Sequence, residues 1–158
     1  MWAATRISSV KTLPKTLQMY LVDTNVISEM RKAGRADAGV RRFFSQCAEA
    51  GSEVYLSSVT VGELRRGVEL LRYRGDLDQG ARVEKWLDAL IAEHERNILP
   101  LDADAAQVWG RLRAPNPDHA LDKQIAAIAF IYDLTVVTRN LRDFKELGVR
   151  LLNPFSPT

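Results

Sequence analysis

The chain has 158 residues, 46% hydrophobic and 27% charged, which is typical of one globular domain and argues against a fibrous or disordered protein. No apolar run approaches the ~20 residues that a membrane-spanning helix needs, and the one cysteine, Cys47, cannot form an internal disulfide, which favours a reducing, cytoplasmic location. The net charge of +2 includes three basic residues and no acid from residues 1–18, and the remaining 19 basic and 20 acidic residues give no compositional argument for a nucleic-acid partner.

Residues 1–18 show no clear periodicity and lack the apolar segment of a secretory signal. Met19 directly precedes the first apolar stretch, so Met19 is a candidate natural start and residues 1–18 a candidate upstream extension. The alternative is a genuine, loosely ordered tail. Either way, we expect the folded domain to span residues 19–155.

The predicted elements alternate between short apolar strands and amphipathic helices. The first strand ends at Asp23, and a helix follows to about Lys32. Later strands are predicted at 54–57, 97–99, 134–138 and 149–152, and later helices around 40–47 and at 60–73, 77–95, 102–113, 122–131 and 140–147. This order predicts an α/β fold, with a parallel sheet and helices on both of its faces.

Four acids follow strands or begin helices, which places all of them at one edge of such a sheet. Each also has a purely structural explanation. Asp23 and Asp122 can cap or begin their helices, Thr60 to Glu63 fits a capping box, and Asp143 has the spacing of a cap-like pair with Asn140. Together, however, they would repel one another, because like charges in one cleft oppose folding.

A divalent cation would offset that repulsion, and oxygen-only ligands indicate Mg²⁺ or Mn²⁺. Zinc is disfavoured, because the chain has one cysteine and only two histidines, well separated in sequence. We interpret His94 as a packing or capping residue at the end of a helix. We interpret His119 as a solvated residue of a proline-rich loop.

Five motifs, found in this order, resemble those of PIN-domain ribonucleases, and most closely the VapC/FitB-like toxins of bacterial toxin–antitoxin pairs. The motifs are Leu21-Val22-Asp23-Thr24-Asn25, Thr60-Val61-Gly62-Glu63-Leu64, Asp122-Lys123-Gln124-Ile125-Ala126-Ala127, Thr138-Arg139-Asn140-Leu141-Arg142-Asp143-Phe144 and Asn153-Pro154-Phe155. The resemblance covers residues 19–155 and implies a three-layer α/β/α sandwich with a mostly parallel sheet.

The resemblance also implies an Mg²⁺-dependent endoribonuclease, with Mn²⁺ as an alternative ion. Its acidic quartet would be Asp23, Glu63, Asp122 and Asp143, with all of these except Glu63 as metal ligands. Glu63 would bind a second metal or position the attacking water. The side chains expected to orient the carboxylates or the water are Thr24, Asn25, Thr138 and Asn140.

Several assignments carry alternatives. Arg65, Arg66 and Arg139 flank the motifs and are candidates for contacts with RNA phosphates, although they could equally balance the acids or line a solvated face. Lys123 stands where the family often has a small residue, and it could extend to solvent or reach a phosphate.

Two other functions remain open. A haloacid-dehalogenase-like phosphatase would need an acid where the chain has Asn25. A catalytically silent PIN-like binding or regulatory module would be expected to lose an acid, whereas this chain keeps all four.

The expected partners also follow from the resemblance. They are an RNA substrate, a cognate antitoxin, a second copy of the chain in a homodimer, and operator DNA only through the antitoxin. The helices predicted at 60–73 and 77–95 form a hairpin longer than a single crossover needs. Such a hairpin could offer a groove to an amphipathic helix of the antitoxin.

Overall fold

A computed structural model describes residues 18–157 as one parallel sheet flanked by helices on both faces. The strands are β1 (Met19–Val22), β2 (Glu53–Ser57), β3 (Ile98–Leu99), β4 (Thr135–Val137) and β5 (Leu151–Leu152). The helices are α1 (Thr24–Met30), α2 (Ala38–Ala50), α3 (Ser58–Tyr73), α4 (Leu77–Glu93), α5 (Ala103–Arg113), α6 (Ala120–Tyr132) and α7 (Leu141–Phe144), with 3₁₀ turns at Ala33–Arg35 and Glu95–Asn97.

The strands lie in the order β3-β2-β1-β4-β5, and every adjacent pair is parallel. β1 is therefore central, with Leu21 beside Tyr55 of β2 and beside Val136 of β4. Because parallel strands end at the same edge, the residues that follow β1, β2 and β4 are brought together. The sequence prediction of a parallel α/β sheet is confirmed.

The alternation of side chains along each strand builds two hydrophobic layers. One side of β1 and β4 presents Leu21 and Val136 to a cluster formed mainly with α5 and α6. The other side presents Val22 and Val137 to a cluster formed with α1 to α4. The result is the three-layer α/β/α sandwich that the resemblance implies. No helix within residues 18–157 is both long and apolar enough to cross a bilayer.

The element boundaries require corrections. α3 begins at Ser58 rather than Thr60, because the Ser57 hydroxyl accepts the backbone N–H of Thr60 at 3.0 Å and caps the helix. The predicted capping box from Thr60 to Glu63 is therefore wrong. The last two strands have three and two residues and α7 has four, so each is shorter than predicted.

The predicted extension, residues 1–18, lies outside the described residues except for Gln18, whose carbonyl accepts the Glu53 N–H at 3.2 Å. At the other end, the chain folds back onto the start of α2. Asp37 caps α2 by accepting the N–H of Gly39 at 2.8 Å, and it also accepts the N–H of Ser156 at 2.9 Å. These bonds hold the pKa of Asp37 below its usual range.

Candidate metal and catalytic site

The register of the two central strands brings the first acid to the edge of the sheet. Val22 of β1 pairs with Val137 of β4, so the next residues, Asp23 and Thr138, are neighbours. The Asp23 N–H continues the ladder by donating to the Val137 carbonyl at 2.9 Å. Asp23 is thus placed by backbone pairing, and it is 5% exposed.

Three donors fix the Asp23 carboxylate. Oδ1 accepts the Thr24 N–H at 2.7 Å, which makes Asp23 the N-cap of α1 as the structural explanation expected. Oδ2 accepts the Thr138 hydroxyl at 2.8 Å and the Asn25 amide at 3.1 Å. Burial raises the pKa of Asp23, and these three bonds oppose that rise. The carboxylate is held in one orientation.

Thr138 and Asn25 connect Asp23 to the neighbouring loop. The Thr138 hydroxyl oxygen accepts the Asn140 N–H at 2.9 Å, and the side-chain amide oxygen of Asn25 (Oδ1) accepts the Arg139 N–H at 3.1 Å. On the other side, the Thr24 hydroxyl donates to the Thr60 hydroxyl at 3.2 Å and so links the starts of α1 and α3. Asn25 and Thr138 therefore contact Asp23 directly, whereas the Thr24 side chain contacts Thr60 at the start of α3.

Asp122 and Asp143 come from different helices and meet at Asn140. Asp122 lies in the first turn of α6, as expected, and Asp143 lies in α7. The Asn140 amide donates to Asp143 Oδ2, and it lies 3.4 Å from Asp122 Oδ2. Asn140 precedes α7, but its side chain holds the two acids instead of capping the helix backbone.

The electrostatics of Asp122 report how closely the acids are grouped. Its pKa is raised to about 6, first by burial and then by the charges of Asp23, Asp143 and, most weakly, Glu63, while His119 opposes the rise. The charges of the other three predicted acids therefore all reach Asp122, whereas only Asp122 and Asp143 share a compact group of potential ligands. A carboxylate in this setting is unfavourable when ionised unless a positive charge joins it.

His119 also belongs to this cluster, although its sequence context did not indicate a site residue. Its Nδ1 atom lies 3.6 Å from Asp143 Oδ2 and 4.0 Å from Asp122 Oδ2. The interpretation as a solvated loop residue is right about exposure, since half of the side chain is accessible, but wrong about its surroundings. The spacing of three residues before Asp122, at the start of a helix, was the available signal. His94, by contrast, caps α4 as predicted.

Lys123 neither extends to solvent nor points freely into the site. It is 5% exposed, and its ammonium group donates to the Asn116 carbonyl in the loop before α6. Both alternatives offered for this residue are therefore replaced by a structural one, in which the lysine ties that loop to α6.

The three arginines have different surroundings. Arg65 forms an ion pair with Glu84 of α4 at 2.6 Å and lies 3.5 Å from Asp88. The Arg139 guanidinium stacks on the Phe155 ring, 3.7 Å from its centroid, and Arg66 is exposed on α3. Contact with RNA phosphates stays a prediction for all three. For Arg65 and Arg139, such contact would have to share or replace these interactions.

Comparison with known proteins places the chain in a family. The family model described as "PIN domain" matches residues 20–149 of the chain. Toxin FitB of Neisseria gonorrhoeae is 34% identical over 142 residues, covering 87% of this chain and 99% of that protein. The VapC ribonuclease Y4jK of Sinorhizobium fredii is 32% identical over 146 residues, covering 88% and 99%.

Solved structures agree. The crystal structure of FitAcB from Neisseria gonorrhoeae matches with a TM-score of 0.73 and 33% identity, covering 86% of this chain and 98% of that one. DNA-bound VapBC from Salmonella typhimurium matches with a TM-score of 0.68 and 27% identity, again covering 86% and 98%. The fold, the ordered motifs and these relatives lead to one conclusion: the chain belongs to the PIN-domain family and is of the FitB/VapC type.

Proposed function

We propose that the chain is a toxin of a toxin–antitoxin pair and acts as a metal-dependent endoribonuclease, with Mg²⁺ as the usual ion and Mn²⁺ as an alternative. The observation that carries the proposal is the acidic cluster around Asp122, whose pKa is raised to about 6 first by burial and then by the charges of the other three acids. Folding brings these negative charges together at a cost in free energy. Helix capping does not require several acids in one place, whereas binding a divalent cation does.

The donor set fits such an ion. The candidate ligands Asp23, Asp122 and Asp143 offer carboxylate oxygens, which Mg²⁺ and Mn²⁺ prefer. A bound divalent ion would lower the pKa of a water molecule and offset negative charge on the phosphate. Catalysis of this kind depends on groups that are held in place before the substrate arrives.

The residues of this chain divide the remaining work. Asp23 provides the fixed position, because three donors prevent its carboxylate from rotating. Asn140 aligns Asp143 and lies near Asp122. Glu63, from the second turn of α3, would accept a proton from the attacking water or orient it.

The first test is cleavage of RNA by the purified protein across a series of Mg²⁺ and Mn²⁺ concentrations, with a chelator as the zero point. We expect cleavage to require the ion and to fall by about 100-fold or more in Asp23→Asn. Glu93→Gln removes an exposed acid at the end of α4 and should keep full activity. Full cleavage by Asp23→Asn would contradict the site assignment. Metal-independent RNA binding without cleavage would favour the catalytically silent alternative.

The proposed protein partner is an antitoxin. One related structure is described as a member of the VapBC family of toxin–antitoxin systems, and related FitAB and VapBC structures are described with DNA bound. In this chain, α3 and α4 form a hairpin that is joined by the Arg65–Glu84 ion pair and has exposed Tyr73 and Leu77 near its turn. We propose that an amphipathic antitoxin helix docks along this hairpin, that operator DNA is reached only through the antitoxin, and that the toxin itself is a homodimer.

An arginine of the antitoxin that entered the acidic cleft would compete with Mg²⁺, so inhibition should weaken as Mg²⁺ rises. The test is co-expression with the product of a small neighbouring gene, followed by cleavage assays across an Mg²⁺ series and by measurement of mass in solution. Failure to form a complex would count against the partner. Inhibition indifferent to Mg²⁺ would count against competition at the metal site.

A further inference from the structure

His119 and two of the acids form a compact group of potential metal ligands within residues 18–157. Nδ1 of His119 and one carboxylate oxygen each from Asp122 and Asp143 all lie within 4.8 Å of one another. Two ligand atoms on one ion, each about 2.1 Å from it, are about 3–4 Å apart. Small side-chain rotations would therefore let the three atoms share an ion.

The backbone holds the imidazole at this position. His119 has a φ of +55°, a left-handed conformation shared among non-glycine residues 18–157 only by Ala33 and Asp133. Such conformations are costly and persist where the surroundings enforce them. Here the His119 carbonyl accepts the Lys123 N–H at 3.0 Å, and the buried Lys123 ammonium group binds the Asn116 carbonyl. Lys123, in the first turn of α6, thus holds the preceding loop at two points, Asn116 and His119.

We propose that His119 is an additional ligand of the metal site, which makes it a mixed nitrogen and oxygen site with a raised preference for Co²⁺ and Zn²⁺ over Mg²⁺. The inference rests on the proposed metal site and concerns its selectivity. Imidazole nitrogen suits transition metals, whereas Mg²⁺ prefers oxygen. Loss of His119 should therefore weaken Co²⁺ binding and leave Mg²⁺ binding nearly unchanged.

Isothermal titration calorimetry with Mg²⁺, Mn²⁺ and Co²⁺ tests this selectivity in the full chain. The variant is His119→Gly, because glycine adopts a φ of +55° without strain and offers no side-chain ligand. We expect the Kd for Co²⁺ to rise about tenfold or more and the Kd for Mg²⁺ to change less than about twofold. His94→Gln, at the chain's other histidine, should leave both values unchanged.

The outcomes separate this inference from the proposed function. An unchanged Kd for Co²⁺ in His119→Gly, or an equal loss for Co²⁺ and Mg²⁺, would overturn the role of His119. Mg²⁺ and Mn²⁺ binding by the wild type that disappears in Asp23→Asn would still support the carboxylate site. A wild type that binds none of the three ions would overturn both.

Nitrogen-15 NMR of the imidazole side chains gives a second readout that does not depend on affinity. The chain has two histidines, so His94 serves as an internal reference, and the His119→Gly spectrum assigns the signals. Saturating Zn²⁺ should shift the Nδ1 signal of His119 and leave its proton on Nε2, while the His94 signals stay in place. Unshifted His119 signals would overturn the proposal.

Discussion

Asp23 and Asp122 face the same cleft but are supported very differently. Asp23 accepts three hydrogen bonds at 3.1 Å or less, whereas the Asn140 amide lies 3.4 Å from Asp122. Burial raises the pKa of both, but only Asp122 has a shift large enough to bring its pKa to about 6. The unfavourable charge of the metal-free site is therefore concentrated on Asp122.

Asp122→Asn should stabilise the metal-free protein at pH 7.5, by on the order of 3 kcal/mol. An acid whose pKa is higher in the folded state destabilises that state once both states are ionised. As the pH falls through 6 towards 4, the folded wild type takes up the proton first and the advantage of the variant disappears. Urea unfolding in a chelator at pH 7.5 and pH 4.5 measures both values.

The matched variant is Asp23→Asn, which we expect to be less stable than the wild type. An amide there would place an N–H₂ group against the donors Thr138 and Asn25, or would lose the bond from Thr24. An Asp122→Asn protein that is no more stable than the wild type at pH 7.5 would show that charge crowding is not the dominant property of this site.

At the level of single residues, the sequence could indicate the four acids, because each follows a strand or begins a helix. It could not indicate His119, because the position of a loop histidine depends on the backbone conformation. Here His119 has a left-handed conformation and its Nδ1 atom lies near Asp143 of α7. Proximity in sequence also does not show what a side chain contacts: Arg65 follows Glu63 by two residues, but its guanidinium binds Glu84 of α4.

At the level of elements, hydrophobic periodicity found the helices and the strand order along the chain. The predicted boundaries of elements were wrong where a polar side chain determines the end of a strand or the start of a helix. The sequence pattern predicts Ser57 as the last residue of a strand, which it is, but its hydroxyl also caps α3, and no pattern distinguishes those roles. β3 and β5 have two residues each and carry too little pattern to be bounded from sequence.

The C-terminal segment packs on α2 through a close backbone approach at Gly39. A Cβ atom at this position would lie 2.3 Å from the Pro154 carbonyl oxygen and 2.7 Å from the Ser156 nitrogen. Because both of these are backbone atoms, no side-chain rotation can relieve the clash, and the C-terminal segment would have to move away from α2. The same segment carries Phe155, on which Arg139 stacks beside the acidic cluster.

Gly39→Ala should therefore lower the free energy of unfolding by about 1–3 kcal/mol and expose the C-terminal segment to proteolysis. Gly67→Ala is the matched control, because Gly67 lies in α3 with nothing within 4 Å of an added Cβ, and alanine should stabilise that helix by about 0.5–1 kcal/mol. Chemical denaturation and limited proteolysis measure the pair. Equal effects of the two substitutions would contradict the close packing at Gly39.

At the level of the whole molecule, the alternation of strands and helices was sufficient to predict a parallel three-layer sandwich. The sequence could not say that residues 18–157 contain a sheet parallel throughout, or that β1 lies at its centre. That central position matters, because it places Asp23 between the ends of β2 and β4. Residues from three strand ends and two helix starts can then meet in one cleft.

Deletion of residues 1–17 should leave the melting temperature and RNA cleavage nearly unchanged. The PIN-domain match begins at residue 20 and includes all four predicted acids. The deletion keeps Gln18, whose carbonyl pairs with Glu53 at the start of β2. A fall of several degrees in the melting temperature would show that the N-terminal segment packs on the domain.

The most direct test of the metal site is anomalous diffraction from crystals of the protein grown or soaked with Mn²⁺, collected near the manganese absorption edge. We expect an anomalous peak about 2.2 Å from carboxylate oxygens of Asp23, Asp122 and Asp143, and no such peak in Asp23→Asn crystals treated alike. An ion bound only elsewhere, or a wild-type site that stays empty at saturating Mn²⁺, would contradict the assignment of these aspartates as metal ligands.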